Sequence, residues 1–269
     1  MLCVYFSDAN QFRDRRLVGV QKVRHPPRPS GCAALARNDT VRGAMPTGRL
    51  ITIEGLDGAG KTTLAEGLTR ELTARYARGG GNRDGGGDGG GNGGRAVELL
   101  REPGGVQLSE RIRQLVKDPG LAPVDARAEA LLYAAARAQL VRERVRPLLE
   151  RGALVLLDRF VDSSLAYQGA GRELGVEQIR AINRFATGDL APDRTLLLCI
   201  SPRSGRARQH TRGDGPDRME LEGDAFFARI DAAYRDLARE EPQRIVVLDA
   251  ELAPERVLRD ALAAIDDLL

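Results

Sequence analysis

The sequence predicts an α/β chain: a five-stranded parallel sheet with helices on both faces. Three observations carry that prediction. Short β-rich runs alternate with longer helical ones from residue 49 onward. Three of the runs, Leu154-Val-Leu-Leu157, Leu196-Leu-Leu-Cys-Ile200 and Ile245-Val-Val-Leu248, are apolar throughout, as strands covered on both faces are. The first run leads directly into a glycine-rich turn and then an amphipathic stretch, the order of a strand, a ligand-binding loop and a helix.

Taken in order, the strands are expected at Leu50–Ile53, Ala96–Leu99, Ala153–Leu157, Thr195–Ile200 and Arg244–Leu248. Helices are expected at Lys61–Arg78, Gln107–Lys117, Pro123–Arg151, Val176–Thr187, Gly223–Glu240 and Pro254–Leu268. Two segments fit neither period. Residues 1–44 have mixed charge, the run His25-Pro-Pro-Arg-Pro-Ser30 and no sustained apolar repeat, so they are read as a disordered extension or as translated upstream sequence with the native start at Met45. A transit peptide is the rival reading, weakened by Asp8, Asp14 and Asp39. From Gly79 to Gly94, eleven of sixteen residues are glycine, and such a run has too little apolar area to offset its ordering entropy; it reads as a flexible insert in a domain spanning residues 45–269.

Composition narrows the function. The chain of 269 residues has 41 basic and 38 acidic side chains; the first 44 residues hold eight and three of these, so the remainder carries 33 and 35 and is net −2. A dedicated nucleic-acid surface would show as a basic excess in that part, and it does not. No run approaches the roughly 18 to 20 apolar residues of a membrane-spanning helix. Cys3, Cys32 and Cys199 form neither a disulfide framework nor a metal motif, which fits a reducing, cytoplasmic setting, and His25 and His210 stand apart from any triad or zinc spacing. Chemistry must then rest on Lys, Arg, Asp and backbone amides.

The turn after the first strand is Gly55-Leu56-Asp57-Gly58-Ala59-Gly60-Lys61-Thr62-Thr63, which fits G-x-x-x-x-G-K-[ST] at every fixed position and opens a helix carrying Leu64, Leu68 and Leu72. Glycines let successive N–H groups converge on phosphates at a positive helix end, Lys61 adds charge, and Thr62 can ligate Mg²⁺. This predicts binding of a nucleoside triphosphate with Mg²⁺. After the third strand stands Asp158-Arg159-Phe160, at the carboxyl end of a buried strand where open α/β sheets bind ligands. Asp158 suits a metal or its water, and Arg159 a phosphate. Asp162-Ser-Ser-Leu-Ala-Tyr167-Gln168-Gly169 then offers hydroxyls, a ring and an amide suited to a base.

With Arg101-Glu-Pro-Gly-Gly105, Glu110-Arg-Ile-Arg113, Ser163-Ser-Leu-Ala-Tyr-Gln-Gly169, Pro192-Asp193 and Asp217-Arg-Met-Glu220 added in sequence, the chain resembles bacterial thymidylate kinases from residue 49 to 269, apart from the glycine insert. The resemblance implies a P-loop nucleoside monophosphate kinase fold with an Arg-rich lid, transferring the γ-phosphate of ATP to dTMP. It implies that Asp57 faces the sugar hydroxyl or acceptor phosphate, Glu102 lies near that phosphate and the metal, and Arg113 and Arg159 hold the phosphate. It makes Tyr133 the ring stacked on thymine and Arg137, one helical turn on, the side chain at its carbonyl oxygen. Ser164, Tyr167 and Gln168 would line the base and the 2′ position. In the family it resembles, a phosphate loop without an internal Arg goes with a lid that supplies one; residue 58 is Gly, so the resemblance implies a catalytic arginine in the lid Arg203–Arg212, with Arg208 and Arg212 the candidates. The metal ligands would be Thr62, Asp158 and Glu102. A homodimer is also implied. Phe160 and Tyr133 depart from the family's usual Tyr and Phe, and Gly213-Asp-Gly-Pro216 interrupts the lid. The competing readings are a P-loop kinase for another nucleoside monophosphate or a deoxynucleoside, a non-catalytic ATP-binding module, and a nucleic-acid-dependent ATPase.

Overall fold

The computed structural model describes residues 48–79, 95–121, 123–210 and 217–269. The expectations for residues 1–44, for the glycine insert beyond Gly79, and for Arg212 and Gly213–Pro216 lie outside the described residues. Five strands, β1 (Arg49–Gly55), β2 (Val97–Arg101), β3 (Leu154–Asp158), β4 (Arg194–Cys199) and β5 (Ile245–Asp249), form one parallel sheet in the order β2-β3-β1-β4-β5. All five expected strands are present, with ends displaced by one or two residues.

Covering of both faces is visible in β3. Leu154 and Leu156 enter one apolar cluster, with Leu64, Leu68 and Leu72 of α1 (Lys61–Gly79) and Val257 of α9 (Pro254–Ile265). Val155 and Leu157 enter the other, with Leu140, Val141 and Leu148. Alternation at period two thus feeds two cores from one continuous apolar run. The expectation fails for β5: as an edge strand it leaves Val247 52% exposed, because an apolar run does not reveal whether a neighbour lies on its far side.

Helices α2 (Gln107–Lys117) and α6 (Val176–Thr187) have the expected bounds, and α6 ends on Gly188 in the left-handed region, φ 59°. The helix expected over Pro123–Arg151 is interrupted. It starts as α3 (Ala126–Leu140), where the Asp125 carboxylate accepts from the N–H groups of Arg127 (2.9 Å) and Ala128 (3.2 Å). It then widens into a π-helical turn, Val141–Val145, and resumes as α4 (Arg146–Glu150). Pro147 explains the break, since its ring and missing N–H do not fit the regular ladder one turn earlier. Downstream come α5 (Val161–Ser164), continued by a π-helical stretch Leu165–Gly171, then α7 (Pro202–His210) and α8 (Asp224–Glu240), whose N-cap is Gly223. The sequence reading had no helix at α7, whose residues are nearly all polar and show no apolar stripe. Among the described residues no helix is long and apolar enough to cross a membrane.

The order of strands sets the site. From β1 the chain passes over β3 to reach β2, and from β3 it passes over β1 to reach β4, so β1 and β3 lie side by side where the connections diverge. The crevice at their carboxyl ends is where such sheets take ligands.

Candidate active site

Both phosphate-binding segments issue from these two strand ends. The loop after β1 folds tightly: the Ala59 N–H donates to the Leu56 carbonyl (3.2 Å), and Lys61 begins α1. Gly58 is required twice over, having φ +81° and lying so close to α7 that a Cβ would come 2.2 Å from the Gly205 carbonyl oxygen. The Lys61 ammonium donates to the carbonyls of Gly55 (3.1 Å) and Leu56 (2.8 Å). Burial, and next the Arg159 charge, push its pKa down to about 8, against the pull of Asp57, Asp158 and Glu54. Thr62 Oγ1 donates to Asp158 Oδ2 at 3.1 Å, so a hydroxyl and a carboxylate oxygen converge between the two strand ends. Oxygen donors in this small number fit a Mg²⁺ that keeps waters and takes substrate phosphates as its other ligands. Among the described residues no three His, Cys, Asp or Glu side chains cluster as a metal cage. Thr63 is exposed and does not line the cavity.

A cavity of about 460 Å³ runs from Lys61 and Thr62 to Tyr133, Arg137 and Gln168. At its middle is Arg159, whose backbone takes φ +69°. Its guanidinium pairs with Asp57, donates to Ser163 Oγ (3.0 Å) and to the Tyr167 hydroxyl (3.3 Å), and lies over the Tyr167 ring. The Tyr167 hydroxyl in turn donates to Asp57 Oδ2 (2.9 Å). Burial opposes ionisation of Asp57, but Arg159, Lys61 and the Tyr167 bond outweigh it and hold the carboxyl below its usual range. Arg113, on α2, reaches back to the Pro103 carbonyl (2.9 Å) and faces the same cavity, its pKa lowered by burial and by Arg101. The Glu102–Pro103 peptide is cis. The loop there is held by Glu110, which accepts from the Gly105 N–H (2.8 Å) and pairs with Arg101 (3.2 Å).

At the far end Arg137 is 2% exposed and heavily engaged. It donates to Glu102 Oε2 (2.7 Å), to Ser164 Oγ (2.9 Å), to the Phe160 carbonyl (2.8 Å) and to Asn183 Oδ1. The Glu102 carboxylate thus pairs with Arg137 through Oε2, and the residue lines the same cavity as Thr62 and Asp158. Its Oε1 is buried without a hydrogen-bond partner among the described residues. Burial raises its pKa to about 7, against the attraction of Arg137. Ser164 serves as an acceptor for Arg137. Gln168 donates to Glu129 Oε1 (3.0 Å), and Tyr133 lines the cavity with its hydroxyl's pKa pushed up, chiefly by burial.

Arg208 is not brought to this cavity. It donates to the Ala250 carbonyl (3.0 Å) and lies 3.9 Å from Glu251, beyond β5. The neighbouring Arg206 pairs with Asp224 and lies over Phe227. Sequence reasoning assigned no role to three buried groups behind the cavity: Glu54, which heads the family's phosphate-loop motif, Glu129 and Asn183. Glu129 is fully buried between Arg218 (2.6 Å) and Arg172 (3.1 Å). The spacing 129, 133, 137 on one helix face was the available signal for it.

A phosphate loop, an oxygen pair fit for Mg²⁺, and a second basic pocket joined to it by one cavity define a P-loop phosphotransferase with an acceptor site of its own. The comparisons specify which. The family model described as "Thymidylate kinase" matches residues 91–261. The chain is 43% identical over 219 residues to the thymidylate kinase of Enterococcus faecalis, covering 81% of this chain and 95% of that one. It is 43% identical over 223 residues to the Deinococcus radiodurans thymidylate kinase, covering 83% and 98% respectively. Among solved structures, thymidylate kinase from Ehrlichia chaffeensis superposes with a TM-score of 0.61 at 26% identity, covering 82% of this chain and 99% of that one. The chain belongs to the thymidylate kinase family.

Proposed function

We propose that the protein transfers the γ-phosphoryl group of ATP to dTMP, giving ADP and dTDP. The observation that carries this reading is the single cavity with Lys61 at one end and the Arg137–Glu102–Ser164 cluster at the other, with Arg159 and Arg113 between. An acceptor phosphate held by Arg113 and Arg159 would lie beside the triphosphate on the Gly55–Thr63 loop. An oxygen of that phosphate attacks the γ-phosphorus as its bond to the β–γ bridging oxygen breaks, and ADP leaves. The protein's work in such a transfer is positioning and charge stabilisation. Lys61 would leave its two loop carbonyls for the phosphates, and Arg159 would neutralise the moving group. Mg²⁺, when bound, supplies charge neutralisation at the phosphates, and Thr62 and Asp158 would hold it.

At the other end, Tyr133 would stack on the base, and Arg137, already fixed by its four partners, would present its remaining N–H to the base carbonyl. Tyr167, braced against Asp57 and Arg159, would close the 2′ side of the sugar. With Arg208 turned to Ala250, a lid arginine at the transferred group would come from elsewhere in the lid, where Arg212 is the remaining candidate. A homodimer accords with the family resemblance and with apolar surface left on α3 and α6, where Leu131 is 56% and Phe185 92% exposed; light scattering of the purified protein tests it.

Coupled ADP release with Mg²⁺-ATP and the monophosphates of thymidine, deoxyuridine, cytidine and adenosine tests the reaction, run on the full chain and on a form starting at Met45. dTMP-dependent ADP release with matching dTDP is the expected result, and equal activity of the shorter form accords with residues 1–44 being dispensable. Preference for another acceptor would overturn the base-pocket assignment. ATP binding without transfer to any of them would overturn the enzyme.

A further inference from the structure

Glu54 is the penultimate residue of β1 and is fully buried in the centre of the sheet. A carboxylate there adds nothing to an apolar core and is costly unless it is compensated. Four donors compensate it. Oε1 accepts from the N–H groups of Phe160 (2.7 Å) and Ser163 (3.2 Å); Oε2 accepts from the hydroxyls of Ser163 (2.5 Å) and Tyr234 (3.0 Å). The first three belong to the segment that starts at Arg159.

We propose that Glu54 is a positioning residue that sets Arg159 at the acceptor phosphate, acting through the backbone of Phe160 and the hydroxyl of Ser163. Two routes converge on the same guanidinium. The backbone of Arg159 is left-handed, a conformation unfavourable for a side-chain-bearing residue that must be held by its surroundings. Glu54 Oε1 holds it from the next N–H and from Ser163, supplying to α5 the cap that no side chain of its own provides. The second route is a relay: Arg159 Nη1 donates to Ser163 Oγ (3.0 Å), and that hydroxyl donates to Glu54. The Gly55 carbonyl, one residue on, accepts from Arg159 Nη1 as well (3.3 Å), so β1 fixes this arginine along its length. Tyr234, from α8, fills the last acceptor position and closes the carboxylate from that side.

The inference rests on the proposed placement of Arg159 at the acceptor phosphate, and a double-mutant cycle separates the two. Glu54→Gln keeps the shape and a carbonyl for the two backbone N–H groups but breaks the hydroxyl relay. It is measured alone, with Arg159→Ala, and combined, by kcat and KM for dTMP and for ATP. Glu54→Gln is expected to lower kcat/KM for dTMP by about 30-fold with KM for ATP within about twofold, yet to cost less than about threefold once Arg159 is gone. Ser163→Ala, with Arg159→Ala, forms a second cycle that decides the matter if Glu54→Gln does not fold. The same cost with and without Arg159, or no cost at all, overturns the inference while leaving Arg159 where it was placed. If Arg159→Ala by itself leaves kcat/KM for dTMP unchanged, the placement of Arg159 falls first and the inference with it.

Discussion

Replacing Glu102 by Gln should remove a specific part of the protein's dependence on pH. The Glu102 carboxyl is 5% exposed, carries an unpartnered Oε1, and has its pKa raised from 4.5 to about 7 by burial that Arg137 only partly offsets. In the folded state it therefore holds a proton over a range in which the unfolded chain has released it. A raised folded pKa gives stability that is present at low pH and lost as pH rises through the folded value. With those two values, the contribution falls by about 2.5 kcal/mol between about pH 5 and pH 8. The other titrating groups remain in the variant, so the difference between wild type and Glu102→Gln isolates this term, and the constant cost of the amide cancels in its slope. Urea unfolding of both proteins at several pH values is the assay. Wild type should lose about 2.5 kcal/mol relative to the variant from about pH 5 to 8. Curves parallel within about 0.5 kcal/mol would refute the reasoning, because a carboxyl titrating at its ordinary value contributes no such slope.

Three other perturbations address separate parts of the structure. Gly58→Ala should weaken ATP binding at least about tenfold by calorimetry, since its Cβ would meet the Gly205 carbonyl at 2.2 Å in a left-handed backbone; unchanged binding would show that the loop and α7 yield freely. Lys61→Met should lower kcat on the order of 10³-fold while dTMP binding persists, as expected for charge that acts on the transferred phosphate. Asp162→Ala should cost about 3 kcal/mol in urea unfolding, because it strips Arg244 of two hydrogen bonds at 2.7 and 2.9 Å in a buried pair; a loss under about 0.5 kcal/mol would mean that Glu241 suffices for Arg244.

The strands and the phosphate loop were legible because their signals are local. A run such as Leu154–Leu157 has only one economical fate, and Gly60-Lys61-Thr62 after a strand imposes its own geometry. Helix α6 was legible to the residue because Gly188 supplies the left-handed cap that ends it. What failed depended on neighbours distant in sequence. Nothing in Ile245–Leu248 tells an edge strand from a central one, and the polar α7 offers no apolar period to read. The family motif pointed to Arg137, but its partners Glu102, Ser164 and Asn183 come from three other segments and carry no local signal. Arg208, picked from the charge of its segment, is aimed by the fold at the Ala250 carbonyl.

The same distinction separates the residues that would touch substrate from those that hold them. Lys61, Arg113 and Arg159 belong to motifs because phosphates demand fixed charge at fixed spacing. Glu102, Glu129 and Glu54 answer to a different requirement: each is a buried carboxylate facing a buried or half-buried guanidinium or the chain that carries one. A site with so many arginines and a small cavity must neutralise them before substrate arrives, or the empty protein would be unstable. Carboxylates behind the arginines, as Glu129 beside Arg172 and Arg218, do this without occupying the space that phosphate and base require. Glu102 also orients a side chain that faces the ligand, since it binds Arg137 at Nε, and Glu129 holds Gln168 while it pairs with both Arg172 and Arg218. Negative charge in the folded domain, which balances its arginines almost one for one, is therefore part of how a phosphate site is assembled.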